Sequence, residues 1–172
     1  MGNSKDNKSM KTQWNHELYA YLAGILDGEG CLRISRTNQK DMVNPYFQAS
    51  IQVGMQDKRV LEMFKTTFGG SIYKDRTVNG KLPVYRWRIN SKRGSIKCLK
   101  KLMPYLITKR EQAEILLSFC KNTPPPKKRS AGLSQEQLKL REDLFNKIKK
   151  LKECIGPLTT ERRDRRELEA TV

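Results

Sequence analysis

The sequence predicts an α+β fold, one curved antiparallel sheet with its helices packed on one face, and three observations carry that prediction. Apolar residues switch from helical spacing to alternation and back, twice in the same order: helix, two strands, helix, two strands, then two helices. The alternating stretches are apolar on one side only, so each strand has a core face and a polar face. The chain has 172 residues, enough for one domain with a sizeable core.

Taken in order, residues 1–13 are polar and read as a flexible tail. Residues 14–29 read as the first helix, with Leu18, Tyr21, Leu22, Ile25 and Leu26 at helical spacing and Gly30 as its stop. Residues 31–36 and 46–54 alternate as strands across the polar stretch 37–45. In the second, Phe47, Ala49, Ile51 and Val53 point to the core, and Gln48, Ser50 and Gln52 point away. Asp57 caps a helix carrying Val60, Leu61, Phe64 and Phe68, which Gly69-Gly70 ends. Residues 71–76 and 84–89 pair around Asn79-Gly80, and Tyr85, Trp87 and Ile89 alternate with Val84, Arg86 and Arg88. Residues 95–106 form a helix through Ile96, Leu99, Leu102, Met103 and Leu106. Thr108 to Glu111 has the form of a capping box that opens another, with Ala113, Leu116, Leu117 and Cys120 on its buried side. These elements make a core over residues 14–122, followed by a proline- and lysine-rich linker over 123–133. Residues 134–172 then hold a helix from Ser134 to about Cys154, docked through Leu138, Leu144, Phe145, Ile148 and Leu151, and a basic tail with Arg162, Arg163, Arg165 and Arg166.

Charge and absences narrow the chemistry. Lys and Arg number 35 against 18 Asp and Glu, a net charge of +17, which favours polyanionic partners. The segment 31–93 alone holds 13 basic and 4 acidic residues, so the excess sits in the folded part. No apolar run reaches about 18 residues, which excludes a membrane span, and the N-terminal stretch has no signal-peptide core, so an intracellular protein is expected. His16 is the single histidine, and Cys31, Cys98, Cys120 and Cys154 form no CxxC pair. Zinc hydrolysis, zinc fingers and a disulfide framework therefore fall away, and metal chemistry must rest on carboxylates.

Residues 22–30, Leu-Ala-Gly-Ile-Leu-Asp-Gly-Glu-Gly, carry the most information. Ala20, Gly24 and Gly28 form a stripe of small residues that costs helix propensity, roughly 1 kcal/mol per glycine, unless another backbone comes close. Asp27 and Glu29 sit in the last turn, where the helix dipole disfavours carboxylates by roughly 0.3–1 kcal/mol each. A divalent cation would relieve that conflict, and oxygen ligands suit Mg²⁺. Two copies meeting along the stripe would bring two acids to a symmetric centre, the geometry of metal-assisted phosphodiester cleavage.

This segment, with the strand–strand–helix order that follows over about residues 14–122, resembles the signature of the LAGLIDADG homing endonucleases. One copy of the motif resembles the single-motif, homodimeric branch, with its αββαββα fold. The resemblance implies a site-specific, intron-encoded DNA endonuclease that binds a long, pseudo-palindromic double-stranded site. It implies Mg²⁺, with Mn²⁺ as a substitute, held by Glu29 and the carbonyl of Gly28. It makes Lys109 the basic residue near the scissile phosphate, and leaves Asp27 to organise the helix end. The family's polar residue after the second strand falls here on Met55, so Gln56 is the candidate substitute. Arg59 falls near another basic position, though a solvated helix residue would look the same.

Alternation selects the base-facing set: Arg33 and Ser35; Gln48, Ser50 and Gln52; Lys74 and Arg76; Arg86 and Arg88. Arginine reads guanine and glutamine reads adenine through paired hydrogen bonds, while Lys74 suits a phosphate equally. Asn38, Gln39 and Lys40 in the long loop reach outer bases. The alternative on the same fold is an RNA-splicing maturase or a DNA-binding regulator without cleavage.

Overall fold

The computed structural model describes residues 4–38, 43–75, 83–124 and 132–155. The elements in chain order are α1 (Ser4–Glu29), β1 (Gly30–Thr37), β2 (Tyr46–Met55), α2 (Lys58–Phe68), β3 (Ser71–Lys74), β4 (Tyr85–Ile89), α3 (Lys92–Leu102), a 3₁₀ turn (Met103–Tyr105), α4 (Arg110–Asn122) and α5 (Gln135–Ile155). The strands form one antiparallel sheet in the order β1-β2-β4-β3. This is the α+β arrangement expected from the periodicity.

Strand alternation decides where the helices go. Leu32, Ile34, Phe47, Ala49, Ile51, Val53, Trp87 and Ile89 are buried on one side of the sheet. They join Leu22 and Leu26 of α1, Leu61 and Phe64 of α2, Leu99 and Leu102 of α3, and Leu116 and Phe119 of α4 in one cluster. Full burial of such an aliphatic or Phe side chain contributes about 1.5–3 kcal/mol, so this face needs its helical cover. Trp87 stacks 4.8 Å from Phe64, and its indole N–H donates to the carbonyl of Gly69 at 2.8 Å. Gly70 has φ +92°, and a Cβ there would lie 2.5 Å from the Arg88 carbonyl oxygen, so only glycine makes this turn from α2 into β3. At the other end of α2, the Asp57 side chain accepts from the Arg59 N–H at 2.8 Å, the cap expected from sequence. α5 docks through buried Leu144 and Ile148, with Phe145 edge-on to Phe47 at 6.2 Å.

Three boundaries differ from expectation. α1 starts at Ser4 rather than about residue 14, so most of residues 1–13 are helix, not a flexible tail. That stretch lacks apolar periodicity, yet no Gly or Pro interrupts the chain from Ser4 to Ala23, and nothing local stops helix propagation. α3 begins three residues early, at Lys92, because Ser91 caps it by accepting from Gly94 N–H at 3.2 Å. Its α-helical part ends at Leu102, and the chain tightens into the 3₁₀ turn that holds Pro104. The expected Thr108 capping box is absent, since α4 has no cap from its own side chains. The loop just before it is held from α1 instead, as described below. The Asn79-Gly80 turn, most of the 123–133 linker and the Arg-rich tail lie outside the described residues.

Candidate active site and polar sheet face

The end of α1 is built around a backbone approach and one carboxylate. A Cβ on Gly30 would lie 2.3 Å from the Leu26 carbonyl oxygen, so glycine lets helix pass directly into strand. Just before it, the Asp27 carboxylate accepts backbone N–H groups of Ile107 at 2.7 Å, Lys109 at 2.9 Å and Thr108 at 3.3 Å. These donors belong to the loop that leads into α4, so an acid on α1 fixes the approach to a helix about 80 residues away in sequence. Partial burial raises the Asp27 carboxyl's pKa, but the backbone donors of Ile107, Lys109 and Thr108 outweigh it and hold the group below the usual carboxylate range. The same loop turns the Lys109 ammonium back to donate to the Asp27 main-chain carbonyl. There it meets the negative end of the α1 dipole.

Glu29 has the opposite environment. It is exposed, and among the described residues its carboxylate has no hydrogen-bond or ion-pair partner. The carbonyl of Gly28 is one of the last four of the helix, which lack intrahelical partners. No group of three or more His, Cys, Asp or Glu among the described residues could hold a metal. One chain therefore offers a single free carboxylate and a backbone oxygen. That donor set fits Mg²⁺, which takes one or two carboxylates and completes its shell with water and substrate phosphate.

Of the other candidates near this end, Met55 is in the apolar row of β2, opposite Tyr85 and packed on the core. Gln56 follows it, exposed in the bend before Asp57. Arg59 is clasped by Asp57, Nη2 to Oδ2 at 2.6 Å. That carboxylate strengthens its protonation, with a smaller contribution from the Tyr21 phenol of α1. Among the described residues no hydrogen bond or ion pair joins Gln56 or Arg59 to Glu29 or Lys109. Ala20, Gly24 and Gly28 lie on the exposed side of α1, and a Cβ at either glycine meets nothing within 4 Å. Tyr21 beside them is 48% exposed.

On the sheet's polar face, register sets three rows: Arg33 opposite Ser50, Ser35 opposite Gln48, and Gln52 between Cys31 and Arg88. Ser50 and Gln52 are nonetheless 3% and 4% exposed. With its amide oxygen facing the guanidinium, Gln52 accepts from Arg88 Nη2 at 3.0 Å and Nε at 3.1 Å. The same guanidinium lies 5.4 Å from the Tyr73 ring centre, a cation–π contact. Arg86 donates to Asp75 at 2.5 Å, and Ser35 Oγ to the Gln48 carbonyl at 3.3 Å. Asn38 is exposed just beyond β1.

Lys74 requires a correction. It pairs with Tyr85, as Ile72 pairs with Trp87, so it belongs to the helix-side row and not to the face of Arg86 and Arg88. Ser71 and Tyr73, opposite Arg88 and Arg86, hold that face on β3, and the sequence reading missed both. Apolar Ile72, two residues from Lys74, was the signal that fixed the parity. Gln39, Lys40 and Arg76 lie outside the described residues. Of the cysteines, Cys98 and Cys120 are buried free thiols, and burial pushes the Cys120 thiol up to about 11.

Comparison with known proteins agrees with this fold. The family model described as LAGLIDADG endonuclease matches residues 22–123. A probable intron-encoded endonuclease aI2 of Debaryomyces hansenii is 28% identical over 95 residues, which is 55% of this chain but only 12% of that protein. The homing endonuclease I-CvuI, solved in complex with its target in the presence of calcium, superposes with a TM-score of 0.66 at 23% identity, over 80% of this chain and 83% of that one. The archaeal intron-encoded homing endonuclease I-Vdi141I, complexed with DNA, gives 0.64 at 19% identity, over 77% and 82%. The meganuclease I-AabMI, bound to uncleaved DNA, gives 0.51 at 28% identity, over 77% and 42%. With the motif, the strand order and the family match all covering the same residues, the chain belongs to the LAGLIDADG endonuclease family.

Proposed function

We propose that this chain is a homing endonuclease that acts as a homodimer, binds a long double-stranded DNA site on its sheet and hydrolyses one phosphodiester in each strand. The observation that carries the reading is the contrast at the end of α1. Asp27 is fully engaged in holding the Lys109 loop, while Glu29, two residues on, is exposed and uncommitted. Glu29 and the Gly28 carbonyl would hold Mg²⁺ together with phosphate oxygens, and a bound divalent ion supplies Lewis-acid polarisation of the phosphate and an activated water. Lys109 uses one of its three ammonium donors on the Asp27 carbonyl and keeps two for charge that develops on the phosphate. Gln56 and Arg59 are the further polar groups proposed at this end, with Arg59 exchanging Asp57 for a phosphate.

Homodimerisation is supported by the open stripe of Ala20, Gly24 and Gly28, along which two helices can approach closely. A two-fold axis there would pair two Glu29 residues and make the target roughly palindromic. β1 and β2, at 8 and 10 residues, span about 26 and 33 Å, or roughly 8–10 base pairs at 3.4 Å each. Arg33, Ser35, Gln48, Ser50, Gln52, Arg86 and Arg88 are the proposed reading set, joined by Ser71 and Tyr73, with Asn38, Gln39, Lys40 and Arg76 toward the flanks. The test is cleavage selection from a randomised DNA library with Mg²⁺. Recovery of a defined, near-palindromic site cut in both strands supports the reading. Tight DNA binding without a cut under any divalent ion overturns it in favour of a regulator.

A further inference from the structure

One row of side chains crosses all four strands on the polar face of the sheet. Cys31 of β1 faces Gln52 of β2, Gln52 faces Arg88 of β4, and Arg88 faces Ser71 of β3. Gln52 is 4% exposed in the middle of this row, whereas Arg88 beside it is only half-buried. A glutamine that reads adenine needs its amide oxygen to accept from the base while its amide nitrogen donates to it. Here that oxygen accepts from both Nη2 and Nε of Arg88, which fills its two lone pairs. Burial and saturation together keep Gln52 from a base edge. The guanidinium, by contrast, has five N–H donors in a fixed fork. The contact with Gln52 uses the Nε–H and one Nη2–H, and it leaves the second Nη2–H and both Nη1–H groups. The adjacent hydrogens of Nη1 and Nη2 run parallel, as guanine O6 and N7 require. Tyr73 holds the guanidinium from a second direction, with its ring centre 5.4 Å away. Arg88 and Tyr73 also line a cleft of about 580 Å³, which leaves room beside them for an incoming base edge. A long side chain held in advance loses less freedom when it docks.

We infer that Gln52 is a positioning residue that sets Arg88 to read guanine, so that this row selects one G·C pair in each half-site and Gln52 selects no base of its own. Gln52 thus belongs to the reading set through Arg88. The inference deepens the proposed function and rests on its assignment of the polar sheet face to duplex DNA. A phosphate could take the same free fork of Arg88, but it would select no base, so base preference separates the two roles.

The test is a base-preference profile: the full chain and its variants bind a pool of duplexes carrying every single-pair substitution of the wild-type site, and the bound DNA is sequenced. Arg88→Ala should relax selection at one G·C pair in each half-site by about 5- to 150-fold, the effect of one paired contact. Gln52→Leu should relax that same pair and no other. Added to Arg88→Ala, it should change the preference there by no more than about twofold, the scatter of independent changes. Gln52→Glu still offers Arg88 an acceptor, so it should keep the guanine preference while its added negative charge weakens every duplex alike. That rescue assigns the loss in Gln52→Leu to the acceptor and not to folding. Relaxation of a second pair by Gln52→Leu, an A·T preference that depends on Gln52, or uniform weakening by Arg88→Ala without a change of preference each overturns the inference. Binding with these preferences but no cut under any divalent ion would overturn the endonuclease reading and leave this one intact. Wild-type protein that binds no duplex sequence-specifically would overturn both.

Discussion

Replacing Asp27 tests how the C-terminal end of α1 and the loop before α4 are held together. Asp27→Ala removes the acceptor for the N–H groups of Ile107, Thr108 and Lys109. Losing hydrogen bonds to a charged acceptor costs about 1.5–3 kcal/mol. Because water can reach this partly exposed loop, about 2 kcal/mol is the working figure, or a fall in Tm of roughly 4–8 °C for a chain of this size. Differential scanning calorimetry measures it. Activity should fall further than stability explains, since Lys109 loses its anchor and a displacement of about 1 Å can cost on the order of 100-fold in rate. The effect also has a pH signature. The folded-state pKa of Asp27 is lowered, so its stabilisation is complete above the unfolded carboxylate value and is lost as pH falls through the folded one. Wild-type Tm should therefore drop on acidification below about pH 4, and Asp27→Asn should lack that part of the drop. An Asn variant with wild-type Tm, wild-type acid slope and wild-type cleavage would refute the role of Asp27 in holding this loop.

Two further outcomes follow from side-chain placement. Arg88→Ala should relax discrimination at one base pair by about 5- to 150-fold, the effect of about 1–3 kcal/mol per paired contact, whereas Lys74→Ala should leave the selected sequence unchanged; sequencing the cleaved library pools decides, and a specificity change in Lys74→Ala alone would reverse the assignment of faces. A Cβ at Gly24 or Gly28 meets nothing within 4 Å, and Gly24→Leu and Gly28→Leu each gain roughly 1 kcal/mol of helix propensity, so they should separate the dimer without unfolding the chain. Sedimentation equilibrium reports this, and an unchanged dimer mass would remove the stripe from the interface.

Most of the fold was legible because the chain punctuates itself. Alternation in β2 and β4, helical spacing in α2, the Asp57 cap and the Gly69-Gly70 stop each identify an element by local chemistry, and the same residues play those parts in three dimensions. What escaped was non-local. The N-terminal turns of α1 carry no apolar stripe, so nothing marks them as helix except the lack of a breaker. The carboxylate that holds the loop before α4 lies on α1, about 80 residues back, and no local pattern around Thr108 could reveal it. Glu29 was legible as a candidate from its motif, but its uncommitted state beside the engaged Asp27 depends on a tertiary contact. On β3, charge drew attention to Lys74, while pairing with β4 brings Ser71 and Tyr73 to the polar face. Burial of Ser50 and Gln52 was likewise hidden, because alternation reports which face a side chain takes and not what flanks it.

The most direct test of the central claim compares wild type with Glu29→Gln on the selected duplex, measuring Kd by anisotropy and single-turnover cleavage with Mg²⁺. The variant keeps the shape of an exposed side chain and removes its charge. The expected result is unchanged or slightly tighter binding with cleavage reduced by at least about 100-fold, the loss that removal of one electrostatic stabiliser produces. Cleavage by Glu29→Gln at the wild-type rate would contradict it and take the catalytic assignment away from the end of α1.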